Sequence, residues 1–134
     1  MILDLSISHD FQLFLEPMDS SERFPSVLLK VQAKVNMPSW QAAIESTGSW
    51  FMYESLSSFE QSLKNLENSV EGMAALYDMD ELPVIRITRT GKEICLRITV
   101  RGSINMGSSS VEVNDYASAI STISGRLKDY PKWW

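Results

Sequence analysis

The chain has one cysteine and one histidine in 134 residues. With Cys95 alone it can form no internal disulfide, so its stability has to come from a core, and its cysteine usage agrees with a reducing cytoplasm. With His9 alone no two-histidine metal site can be built, and a Ser-His-Asp triad would depend on that one imidazole. His9 sits in the polar turn Ser8-His9-Asp10 and reads as a solvated residue. Cys95 shares a strand face with Arg86, which could lower its pKa, but a lone strand cysteine reads first as a packing residue. No apolar run approaches the roughly 20 residues needed to span a bilayer, so no membrane segment is expected. Met1-Ile2-Leu3-Asp4 offers neither a basic nor a sustained apolar stretch, and no secretion signal is expected. Also missing are G-x-G-x-x-G, the Walker loop, paired-cysteine zinc spacing and G-x-S-x-G. Neither a cofactor nor a metal is expected, and an enzyme acting through Cys95 or His9 is the least favoured class. Basic residues are also few. Twelve against seventeen acidic ones leave a net charge of -5, which opposes a nucleic-acid backbone and makes any charge-selected partner basic.

Present instead is the pattern of a scaffold. The length suits a single domain over residues 1–134, able to bury roughly two-thirds of its unfolded surface. Leu3, Leu5 and Ile7 alternate with polar neighbours, and the alternation resumes at Phe11, Leu13 and Leu15, as one bent strand or two short ones. Pro17 to Pro25 is polar between two prolines and reads as an exposed loop. Leu29, Val31, Ala33 and Val35 alternate with Lys30, Gln32 and Lys34, the one-sided pattern of an antiparallel strand. Two further apolar stretches flank Thr47-Gly48, which reads as a turn between strands.

A first helix is signalled by the capping box Ser57 to Glu60, with Phe59, Leu63, Leu66, Val70 and Met73 as its stripe and Gly72 as its C-cap. Tyr77 to Glu81 reads as an acidic connector; it lacks the spacing and glycine of a calcium loop. A hairpin follows about Thr90-Gly91, pairing Ile87 with Ile94 and Ile85 with Leu96, while Arg86, Thr88, Glu93 and Cys95 share the other face. Gly102 to Ser110 reads as a loop, Val111 and Val113 as a last short strand, and Asn114 as the cap of a second helix with Tyr116, Ile120, Ile123, Leu127 and Tyr130 on its stripe. The expected class is α+β: an antiparallel sheet of about six strands with two amphipathic helices packed on it, in the order strands, helix, strands, helix.

The candidate binding surface is acidic. Glu60, Glu67 and Glu71 lie along the expected first helix, and Asp78, Asp80 and Glu81 follow in the connector. Together they would form either a patch that steers a basic protein partner or an ordinary solubilising face. Trp133 and Trp134 end the chain beyond the second helix, either folded back or offered as partner anchors.

The run Phe59, Leu63, Leu66, Gly72, Ala74, Leu76, then Leu82, Ile85, Ile87, Gly91, Ile94, Leu96, and finally Leu127, Tyr130 and Pro131, resembles the WapI-like bacterial immunity proteins over roughly the last 80 residues. The resemblance implies a small cytoplasmic, non-catalytic inhibitor that covers the active surface of a toxin, most simply a basic nuclease. The other reading is an acidic secretion chaperone or adaptor that shields an effector segment. Those chaperones open with a helix and work as dimers, whereas strands open this chain.

Overall fold

The computed structural model describes residues 1–101 and 107–132. Its front half is organised around β3 (Ser26–Asn36), in which Val27, Leu29, Val31, Ala33 and Val35 are all buried. β1 (Leu3–Asp4) pairs with β2 (Phe11–Ser21), and β2 pairs with β3 along nearly its whole length. The segment from Pro17, expected to be a loop, is strand as far as Ser21. Pro17 is accommodated because the ladder shifts register between Pro17 and Asp19, a place where a missing N–H is tolerated.

β4 (Gln41–Glu45) and β5 (Ser49–Met52) both pair with β3, at opposite ends of it, and not with each other. Thr47-Gly48, expected as a turn between strands, is therefore a jog between two strands that share one partner. Buried Ser46 holds the jog: its N–H donates to the Val31 carbonyl at 2.8 Å, and its hydroxyl accepts the Val31 N–H at 2.9 Å. Gly48 is needed there, with φ +148° and the Leu28 methyl only 3.0 Å from where a Cβ would stand.

β5 runs directly into α1 (Tyr53–Glu67), which buries Leu56, Phe59, Leu63 and Leu66. The helix thus begins before the expected cap at Ser57, because the Tyr53 N–H is satisfied by the Pro25 carbonyl at 2.9 Å, and no side chain caps it. It also ends before Val70 and Met73, both exposed. Gly72 caps nothing; it belongs to β6 (Glu71–Tyr77). The helix end is instead sealed by Arg89, whose Nη1 donates to the Leu66 carbonyl at 2.9 Å and the Glu67 carbonyl at 3.1 Å, and whose Nε donates to the Gly91 carbonyl at 2.8 Å. A fixed cation at a helix C-terminus also complements the macrodipole.

β6, β7 (Pro83–Thr90), β8 (Glu93–Arg101) and β9 (Ser108–Tyr116) form a second antiparallel sheet in sequence order. Ile87 faces Leu96 and Ile85 faces Ile98, two residues away from the expected partners, because the loop is Gly91-Lys92. A shift of two residues keeps every side chain on its expected face, so Ile85, Ile87, Ile94, Leu96 and Ile98 are buried and Arg86, Thr88, Glu93 and Cys95 share the outer side. Asn114 and Tyr116, expected in the second helix, lie in β9, and Tyr116 is exposed. α2 (Ser118–Asp129) buries Ala119, Ile120, Ile123 and Leu127. The Tyr130 hydroxyl, just beyond it, donates to the Met1 carbonyl at 2.7 Å.

The class is α+β, but the single six-strand sheet is corrected to two antiparallel sheets of five and four strands. Inner faces of both sheets and both helices feed one contiguous core, and β4 lies beside β9. The expected loop from Gly102 to Ser110 is strand at Ser108–Ser110, and 102–106 fall outside the described residues. Trp133 and Trp134 fall outside them too. No helix among the described residues is long and apolar enough to cross a membrane.

Candidate functional site

The loop from Asp78 to Leu82, between β6 and β7, is tightly built. The Asp78 N–H donates to the Leu82 carbonyl and the Glu81 N–H to the Asp78 carbonyl, each at 3.0 Å. One carboxylate oxygen of Asp78 accepts the N–H groups of Asp80 and Leu82, both at 2.9 Å. This closed turn places Glu81 at φ 64°, an uncommon value for a residue with a side chain. A further bond, Met79 N–H to the Trp50 carbonyl at 2.9 Å, ties the loop to β5. The second sheet is thereby locked to the junction of β5 and α1.

An open groove of about 680 Å³ results, lined by Met52, Ser55, Tyr77, Asp78, Met79 and Glu81. It combines apolar surface from two methionines and a tyrosine with two carboxylates. Tyr77 is 42% exposed and Met79 46%, so large apolar side chains stand in water beside negative charge.

The six acidic residues singled out from the sequence fall into separate places. Asp78 and Glu81 line the groove; Asp80 is exposed and meets Arg101 at 3.4 Å. Glu67 and Glu71 are exposed at the far end of β6, roughly 20 Å away at about 3.3 Å per strand residue. Glu60 is drawn inward: its side chain is 15% exposed, with Lys132 at 3.5 Å and Lys64 at 4.0 Å. The acidic surface is thus two groups at opposite ends of β6, with Glu60 serving as a tie between α1 and Lys132. The sequence reading missed Met52, Ser55, Tyr77 and Met79. Tyr77 and Met79 carried a signal, as large apolar residues flanking Asp78 in an acidic stretch, whereas Met52 and Ser55 reach the groove only because β5 runs straight into α1.

His9 is exposed. Cys95 is half-buried on the outer face of the second sheet, and its thiol is pushed above its ordinary value, first by desolvation and then by the Glu112 carboxylate, against the opposing pull of Arg97 and Arg86. The thiol is therefore held in its protonated, weakly nucleophilic form at neutral pH. Among the described residues no group of three His, Cys, Asp or Glu side chains is placed to hold a metal ion. No family model matches the chain, and no curated protein or solved structure is significantly similar to it.

Proposed function

We propose that the chain is a non-catalytic binding protein that captures a basic protein partner, and more specifically an immunity protein that covers the active surface of a cognate toxin of the basic nuclease kind. The observation that carries the reading is the groove at the Asp78–Leu82 loop, where exposed Tyr77 and Met79 adjoin Asp78 and Glu81. A lysine or arginine can lay its methylene stem along such apolar surface while its charged head meets a carboxylate. The fixed loop leaves little ordering entropy to be lost on binding. The net charge of -5 adds a long-range attraction that raises the encounter rate with a basic domain. The toxin class comes from the resemblance alone; charge and groove support only the broader part of the proposal, a basic protein partner.

The test is co-purification with the products of the genes beside its own, at low and high salt. Salt-sensitive capture of a basic domain whose activity is lost on binding is the expected result. Capture of an effector segment by a dimer of this chain would replace the immunity reading with the chaperone one. Retention of the partner's activity in a saturated complex would rule out inhibition.

A further inference from the structure

The outer face of the β6–β9 sheet carries the chain's one cross-strand opposition of like charges among the registered pairs. Arg86 stands directly opposite Arg97. Two cations in facing positions on strands about 4.8 Å apart repel each other and destabilise the pair. Both are exposed, and neither joins an ion pair among the described residues, although Glu112 stands opposite Arg97 on the next strand. The nearest fixed partner of Arg86 is the Met73 sulfur, 3.1 Å from its Nε, a weak acceptor for a guanidinium. Around them lie Thr88, Cys95 and Asn114.

We propose that this face is a second docking surface, where Arg86 and Arg97 together take two carboxylates from an acidic, extended segment of a partner protein. Charge complementarity selects that occupant. Alternate residues of an extended segment project to one side about 6.6 Å apart, within reach of two long guanidinium side chains on neighbouring strands. Each guanidinium can receive a carboxylate with two parallel hydrogen bonds. A nucleic-acid strand fits less well: its phosphates repeat without a break and would run past the two arginines onto Glu93 and Glu112 on the same face, whereas a peptide can carry carboxylates at the two arginines alone and neutral residues over the glutamates. The surface differs from the acidic groove in the sign of its paired charges and asks for a partner of opposite charge.

The probe is a fluorescein-labelled octapeptide of Thr with Glu at its third and fifth positions, followed by anisotropy at low salt, with an oligothymidylate octamer as the nucleic-acid arm. Saturable peptide binding, weakened at least tenfold by Arg86→Thr with Arg97→Thr and unchanged by Arg126→Thr with Lys128→Thr, supports the proposal. The second pair removes the same charge from exposed positions on α2. Threonine suits a strand, so the first pair is expected to fold, and circular dichroism checks it. The single variant Arg97→Thr gives an independent reading if the double variant does not fold. Absence of peptide binding, equal loss in both double variants, or tighter binding of the oligothymidylate would each overturn the proposal.

Discussion

Replacing Arg89 by methionine removes a guanidinium that closes the end of α1, while keeping a long apolar stem in place. Three hydrogen bonds go with it, to the carbonyls of Leu66, Glu67 and Gly91. The Leu66 bond is half-buried, and its loss costs about 1 kcal/mol, the usual net worth of a hydrogen bond, with the Leu66 carbonyl keeping only the longer bond from the Ser69 N–H at 3.3 Å. The other two are exposed, so water takes over and each costs only a few tenths, about 0.5 kcal/mol together. Loss of the cation at the helix C-terminus adds about 0.5 kcal/mol. The total is about 2 kcal/mol, a fall in Tm of about 6–10 °C for a chain of this size. Urea unfolding followed by tryptophan fluorescence measures it, with an unchanged m-value showing that the folded state is otherwise intact. Arg89→Lys should recover only part of the loss, because an ammonium lacks the planar fork whose Nη1 meets the helix carbonyls while its Nε meets the Gly91 carbonyl. An Arg89→Met variant within about 0.5 kcal/mol of the parent would refute the assignment of Arg89 as the helix seal.

Gly48→Ala should cost about 1–3 kcal/mol, measured by the same unfolding, since it combines a positive φ with a 3.0 Å approach to Leu28. Asp78→Ala should cost about 1–2 kcal/mol and increase hydrogen exchange at Asp80 and Leu82, whose N–H groups it now accepts. Charge reversal at Glu67 and Glu71 should leave stability within about 0.5 kcal/mol, because both are exposed and unpaired among the described residues. Cys95 should alkylate more slowly with iodoacetamide at pH 8 than an unstructured thiol does. Its folded pKa lies above the unfolded value, so its contribution to stability is present below the unfolded value and is lost as pH rises through the folded one. Cys95→Ser should remove that alkaline loss.

Much of the fold was legible where one-sided alternation decides it: β3, β7 and β8 show their buried faces in the letters alone. The two-residue displacement of the hairpin was not legible, because both registers bury the same isoleucines and leucine, and only the loop position separates them. β6 was hidden because Val70 and Met73 prolong the helical spacing of Phe59, Leu63 and Leu66; the chain leaves the helix where Arg89, far away in sequence, takes its last carbonyls. Division into two sheets depends on β4 and β5 sharing β3 as partner, a long-range choice with no local signature. The acidic loop was visible as composition, whereas its apolar companions come together through the packing of α1 on β6, the direct run of β5 into α1 and the bond from Met79 to Trp50.

The most direct test of the central claim is the affinity of the chain for the basic domain it captures, compared between the parent and a Met79→Ala, Glu81→Lys variant at two salt concentrations. Both side chains are exposed, so the variant should fold as the parent does. The groove account predicts at least a hundredfold weaker binding, about 2.7 kcal/mol, because the Met79 thioether no longer packs on the partner and an attraction at position 81 becomes a repulsion. A shallower salt dependence and recovery of the partner's activity should accompany it. Unchanged affinity and unchanged inhibition would place the binding surface elsewhere and contradict the account.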